Sequence, residues 1–171
     1  KKSMKLSLLI IVPLVFSLFL LFVRGQRQVR AVALSAAVVQ LVLCIFLLFQ
    51  FLQERSVNKA SFLFEQNYTW YKDLNINYHV GVDGISIAMI LLTAFVVVAG
   101  VLVSWKQEKM HKEFFFLLLF LSLGAYGFFI SLDLFTMFFF LEVAVIPKFL
   151  LIGIWGSGKK EYSANKLALL L

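Results

Sequence analysis

Leu134-Phe-Thr-Met-Phe-Phe-Phe-Leu-Glu-Val-Ala-Val-Ile-Pro-Lys-Phe-Leu-Leu-Ile-Gly-Ile-Trp155 decides what kind of chain this is. The run is long enough to cross a bilayer as a helix. It carries one acid, Glu142, among phenylalanines and aliphatics. Measured from Asp133, Glu142 lies ~13 Å along such a helix, near the middle of a hydrocarbon core ~30 Å thick. A carboxyl at that depth needs a partner, a water-filled cavity or a proton. Pro147 follows and has no N–H for the carbonyl of Val143. The freed carbonyl is expected beside the acid. Lys148 comes next, close enough to the far boundary for its head to snorkel outward. Glu142 reads either as a protonated acid hydrogen-bonded to a neighbouring helix or as a proton-relay residue, and the charge-free surroundings favour the relay.

Working outward, the composition agrees with a membrane class: 62% of the 171 residues are hydrophobic and only 15% are charged. The net charge of +7 does not point to nucleic acid, because the basic residues sit in short connectors between apolar runs. Cys44, the one cysteine, permits no internal disulfide and has no Cys or His near it to form a metal site. The expected fold class is all-α, a polytopic transmembrane helical protein with spans at 6–23, 31–52, 85–105, 114–131 and 134–155 and the start of a sixth at 162–171. Residues 1–171 are expected to form one transmembrane domain. The chain closes inside an apolar segment, so it is expected to be part of a longer protein, with Met4 a candidate native start.

The first span has no signal-peptide cleavage pattern, and Arg24-Gly-Gln-Arg27 follows it. Pro13 is tolerated in a membrane helix, and Gln40 in the second span is expected to bond a neighbouring helix. Residues 53–84 form the one long connector, expected to be an ordered loop. Ile76, Tyr78 and Val80 alternate with polar residues, the period of a short strand. Trp70 and Tyr71 suit an interfacial belt. Asp83 and Asp133 are placed to cap the third and fifth helices. Asp83 with His79 does not make a metal site. Gly124 and Gly127 offer close helix approach.

Arg24, Arg27, Arg30, Lys106, Lys109, Lys112, Lys159 and Lys160 fall on one side of the expected membrane. Arg55, Lys59 and Lys72, with Lys1, Lys2 and Lys5, fall on the other. The balance favours the first set inside and the N-terminus outside. No internal repeat and no nucleotide, flavin, haem or metal signature occurs.

Three patches together resemble a known family. They are Tyr78-His-Val-Gly-Val-Asp-Gly-Ile-Ser86, Phe138-Phe-Phe-Leu-Glu-Val-Ala-Val-Ile-Pro-Lys-Phe-Leu-Leu-Ile-Gly-Ile-Trp-Gly156 and Tyr162-Ser-Ala-Asn-Lys166. With them the chain resembles the N-terminal part of the M-type antiporter-like subunit of respiratory NADH–quinone oxidoreductase, complex I. The acid–proline patch is the most specific. The resemblance implies a longer subunit of two inverted repeats with sites near the midplane. It implies that Glu142 is the family's fifth-helix glutamate, facing a lysine on a later, broken helix. It implies that Lys166 matches a lysine opening the sixth helix. Two positions depart from the family pattern: Leu141 stands where tryptophan is common, and Lys148 where the family is often apolar.

The implied function is proton translocation across a bacterial inner membrane, coupled to quinone reduction elsewhere in the complex. Burial favours the protonated carboxyl and a nearby cation favours the carboxylate, so a lysine that moves or changes charge would switch Glu142 between holding and releasing a proton. Glu142 is the expected gate. Lys166 is a candidate for proton transfer and equally an interfacial lysine, and Lys148 is an accessory candidate better read as interfacial. The subunit would hold no cofactor and do no redox chemistry itself. Partner subunits would carry FMN and iron–sulfur clusters, and its partners would be other membrane subunits and lipid, not nucleic acid. The alternatives are a subunit of a multisubunit cation/proton antiporter or membrane-bound hydrogenase, and a structural membrane protein in which Glu142 is dispensable.

Overall fold

The computed structural model describes residues 8–57, 59, 61–106 and 111–170. Residues 6–7 and 171 of the expected first and sixth spans lie outside it, as do Lys1, Lys2, Met4, Lys5 and Lys109. The elements in order are α1 (Leu8–Phe22), α2 (Gln26–Val57), β1 (Leu63–Tyr71), β2 (Ile76–Val82), α3 (Gly84–Val103), α4 (His111–Ile130), α5 (Leu134–Trp155) and α6 (Lys160–Leu170). The protein is an all-α polytopic membrane protein with one small hairpin. Helices α2, α3, α4 and α5 are long and apolar enough to cross a membrane, and α1 is a shorter apolar helix.

The helices pack through narrow stripes. On α2, Val29, Ala33, Ala36, Ala37, Gln40, Cys44, Leu47 and Phe51 are buried, a spacing that keeps one face inward. The opposite faces stay apolar yet uncovered: Phe49 is 60% exposed and Leu92 57%. Such faces are stable in hydrocarbon, which solvates them as a protein core would.

Several boundaries differ from the sequence expectation. Helix α2 starts at Gln26 and takes Arg27 and Arg30 out of the expected basic connector. Gly25 at φ +90° makes the reversal in a conformation only glycine adopts freely, and arginine and glutamine are good helix formers. The same preference carries the helix through Gln53, Glu54 and Arg55 to Val57. At its 32 residues, ~48 Å long, α2 projects past the hydrocarbon core. Trp105, expected to end the third span, instead lies in the turn after α3.

The long connector is more ordered than the period of Ile76–Val80 alone predicts. Strand β1 pairs antiparallel with β2, with Tyr68 opposite Tyr78 and Asn67 opposite His79. Asn75, at φ 53°, closes the turn with its N–H on Lys72 O, a left-handed position that asparagine tolerates. The hairpin roofs one end of the bundle: Leu63, Val80 and Val82 join a buried cluster with Phe51, Ile87 and Ile130. His79 O accepts from Leu132 N at 2.8 Å and Val80 bridges Ser131. His79 Nε2 meets Glu65 Oε1 at 3.0 Å on the exposed face. The opposite end is tied by Lys112, whose Nζ donates to Leu21 O at 2.6 Å, and by Phe114 edge-on to Trp155, centroids 5.3 Å apart. The α1–α2, α3–α4 and α5–α6 connections therefore share one end of the bundle.

Candidate functional site around Glu142

Helix α5 is positioned at its start by Asp133, whose Oδ2 accepts from Thr136 N at 3.4 Å. Asp83 does the same for α3, accepting from Ser86 N at 2.8 Å. Both aspartates are thus occupied as helix caps. Thr136 Oγ1 donates to Asn77 O at 2.9 Å, which latches α5 to the hairpin, and Trp70 packs edge-on against Phe135 and Phe139. Along the membrane interior, α5 lies tight against α4. A Cβ on Gly124 would stand 2.6 Å from Ala144 N, and one on Gly127 would run into the Phe140 ring. The close approach expected of these glycines is what holds the two helices together.

That packing sets where the acid points. Phe140 and Ala144, both buried, form the α4-facing stripe of α5. At ~100° per residue Glu142 stands on the other side. It shares its face with Gly153, which lies against Ala164 of α6. Glu142 is ~16 Å below that contact, whereas α6 reaches only ~9 Å beyond Ala164 at ~1.5 Å per residue. Glu142 as a residue is half-buried. Among the described residues it has no hydrogen-bond or ion-pair partner.

The structure does not bring the three candidate residues together. Lys148 is half-buried on a different flank of α5, ~9 Å further along. Lys166 is exposed, its Nζ 5.8 Å over the Tyr162 ring. Ala164, buried against α5, puts Lys166 on the outward side of α6, so it does not face Glu142. Inside the bundle Gln40 makes the expected interhelical bond, to Leu9 O at 2.9 Å, and Tyr126, fully buried, was not singled out in the sequence. The available signal for the Gln40 bond was Pro13, which strands a carbonyl one turn back that some donor has to reach.

Apolar helices long enough to cross a bilayer, a carboxyl part-way along α5 and a hairpin over one end define a multi-pass helical membrane protein. No family model matches the chain. Along 96% of its length it is 31% identical to NAD(P)H-quinone oxidoreductase chain 4 of the chloroplast of Angiopteris evecta, covering 33% of that protein. It is 29% identical over 94% of its length to F(420)H(2) dehydrogenase subunit M of Methanosarcina mazei, covering 32% of it. Its fold superimposes with a TM-score of 0.77 on a chain of respiratory complex I from Thermus thermophilus with bound NADH, at 22% identity, over 96% of this chain and 32% of that one. The chain is similar to these chain-4 and M subunits along nearly all of its own length, and it spans about a third of theirs.

Proposed function

We propose that this chain is part of a proton-translocating membrane subunit of a bacterial NADH–quinone oxidoreductase. In it, Glu142 holds and releases a proton near the middle of the membrane. The observation that carries the reading is the carboxyl itself, at mid-depth of α5, turned away from α4, and without a protein partner among the described residues. A charged side chain at that depth costs about 3 kcal/mol. A residue kept there at such a cost is read as part of an ion or proton pathway whose remaining polar groups approach the open face of α5. Homology to chain-4 and M subunits supports the same conclusion.

In this proposal the subunit performs no redox chemistry. FMN and iron–sulfur clusters belong to partner subunits, and the protein contacts other membrane subunits and lipid. It resides in the bacterial inner membrane with the end bearing Arg24, Lys112 and Lys159 inside and the N-terminus outside. Lys166, on the outer side of α6, acts on the proton path only through a helix not among those described, and Lys148 only by tuning the field along α5. The match to an F(420)H(2) dehydrogenase subunit favours a second reading, in which the same scaffold serves a complex with a different electron donor. The proteins that co-purify with the subunit distinguish the two.

The test is Glu142→Gln in the assembled complex in sealed vesicles. The substitution keeps shape and removes the ionisable proton. The expected outcome is normal assembly with most proton pumping lost. Pumping at the full wild-type rate overturns the gate role.

A further inference from the structure

We propose that Trp70 closes the hairpin end of the α5 face that carries Glu142. With Phe135 and Phe139 it forms a hydrophobic gate between that carboxyl and the aqueous phase on the hairpin side. The use of such a gate rests on the proton-transfer reading of Glu142; the closure itself is a property of water access.

At ~100° per residue, Phe135 stands ~20° from Glu142 around α5, Phe138 ~40° and Phe139 ~60°. Between its first residue and the acid, α5 places only these three phenylalanines on that face. Phe139 is ~4.5 Å along the axis from Glu142, less than one turn. Phe135 and Phe139 are 48% and 46% exposed, so their rings line the open side of α5 and not the α4 contact.

Trp70 reaches these rings from the hairpin. Its ring centroid lies 6.5 Å from that of Phe135 and 6.5 Å from that of Phe139, edge-on at 83° and 82°, an arrangement that aromatic pairs favour. The strand directs it there. Thr69 pairs with Asn77 and Tyr71 with Ile76, so Trp70 is an extra residue in the ladder. A bulge of this kind re-aims a side chain out of the regular alternation. Asn77, opposite the bulge, is the residue whose carbonyl accepts from Thr136 Oγ1 at 2.9 Å, and His79 O accepts from Leu132 N at 2.8 Å. Two bonds on the paired strand thus hold the indole against α5.

A tryptophan that only anchors a membrane boundary needs no contact beyond the headgroup level. Trp70 instead touches a ring within one turn of a membrane-embedded acid. A constriction lined by apolar rings stops conduction by expelling water, and this stretch of the face has no polar side chain to take the water's place.

The test uses the assembled complex in sealed vesicles of either orientation, with Cys44→Ser and Glu142→Cys in this subunit. A membrane-impermeant cationic methanethiosulfonate is added, and its attachment to position 142 is timed by mass spectrometry of the subunit. Trp70→Ala should raise the rate from the hairpin side roughly tenfold, the change in an opening equilibrium that two aromatic pairs supply, and leave the rate from the opposite side unchanged. Trp70→Phe should restore the slow rate. Tyr71→Ala removes an exposed hairpin ring that has no ring contact with α5 among the described residues, and should leave the rate slow. An unchanged hairpin-side rate in Trp70→Ala overturns the gate. So does an equal rise in Tyr71→Ala, or a rise from both sides, which would mean general loosening. If Trp70→Ala does not assemble, Phe139→Ala opens the same ring cluster from α5, and no rise there overturns the gate. If Glu142→Cys does not assemble, Ile146→Cys, one turn further along the same face, carries the label. Labelling reads water access alone, so its outcome is separate from that of the Glu142→Gln pumping test.

Discussion

Adding a single methyl group at two glycines should have opposite consequences. At Gly124 a Cβ would stand 2.6 Å from the nitrogen and 2.9 Å from the Cα of Ala144. Carbon atoms in comfortable contact are ~3.5–4.0 Å apart, so α4 and α5 would have to separate by roughly 1 Å. The obstructing atoms are backbone, and no rotamer change can move them aside. Overpacking of this kind costs about 1–3 kcal/mol. At Gly100, within α3, the nearest atoms to an added Cβ are the Leu118 methyls at 3.7 and 3.8 Å, an ordinary contact. Both sites gain the same helix preference of alanine over glycine, about 1 kcal/mol. That gain cancels in the comparison, so Gly124→Ala should be less stable than Gly100→Ala by about 1–3 kcal/mol. Reversible unfolding of the two variants in mixed detergent micelles, followed by tryptophan fluorescence, measures the difference. Equal stabilities, or Gly124→Ala the more stable, would refute the account of the α4–α5 contact.

Two further substitutions probe how the spans are held at the hairpin end. Asp83→Ala removes the side-chain oxygen that accepts from Ser86 N and should cost about 0.5–2 kcal/mol; Asp83→Asn, which keeps an acceptor, should restore most of it in the same unfolding assay. Thr136→Val removes the hydroxyl that donates to Asn77 O, at a cost of about 1 kcal/mol. Its first visible effect should be faster amide exchange in the hairpin and the first turn of α5, with α2 and α3 unchanged. Uniform acceleration across all helices would count against a local latch.

The architecture was legible because a bilayer imposes a simple rule. Backbone polar groups in hydrocarbon have to be satisfied within the segment, so any sufficiently long apolar run becomes a helix whatever surrounds it. Leu134–Trp155 could therefore be delimited at the residue level, and Asp83 and Asp133 could be recognised as caps from their place before such runs. The limits of α2 were less legible. Gln26–Arg30 and Gln53–Val57 are polar, and hydropathy ends a span where helix propensity does not. Strand β1 was not singled out: Glu65, Asn67 and Thr69 alternate with Phe64, Tyr68 and Trp70, but Gln66 interrupts the apolar series. It is a strand because β2, itself anchored to the α4–α5 turn through His79 and Val80, gives it a ladder partner.

For the candidate site, sequence alone determined the identity and depth of Glu142, since position along a membrane helix follows from residue count. Only the tertiary structure decided its direction. The glycines at 124 and 127 commit the Phe140–Ala144 stripe to α4, and a rigid helix then has no choice but to turn the acid the other way. Lys166 was a candidate only through the family resemblance, and the burial of Ala164 leaves it on the outward side of α6. Gln40 and the Leu9 carbonyl it bonds lie on different helices, and Tyr126 is buried on a third. No periodicity connects such residues, because their meeting depends on which faces α1, α2 and α4 bury together.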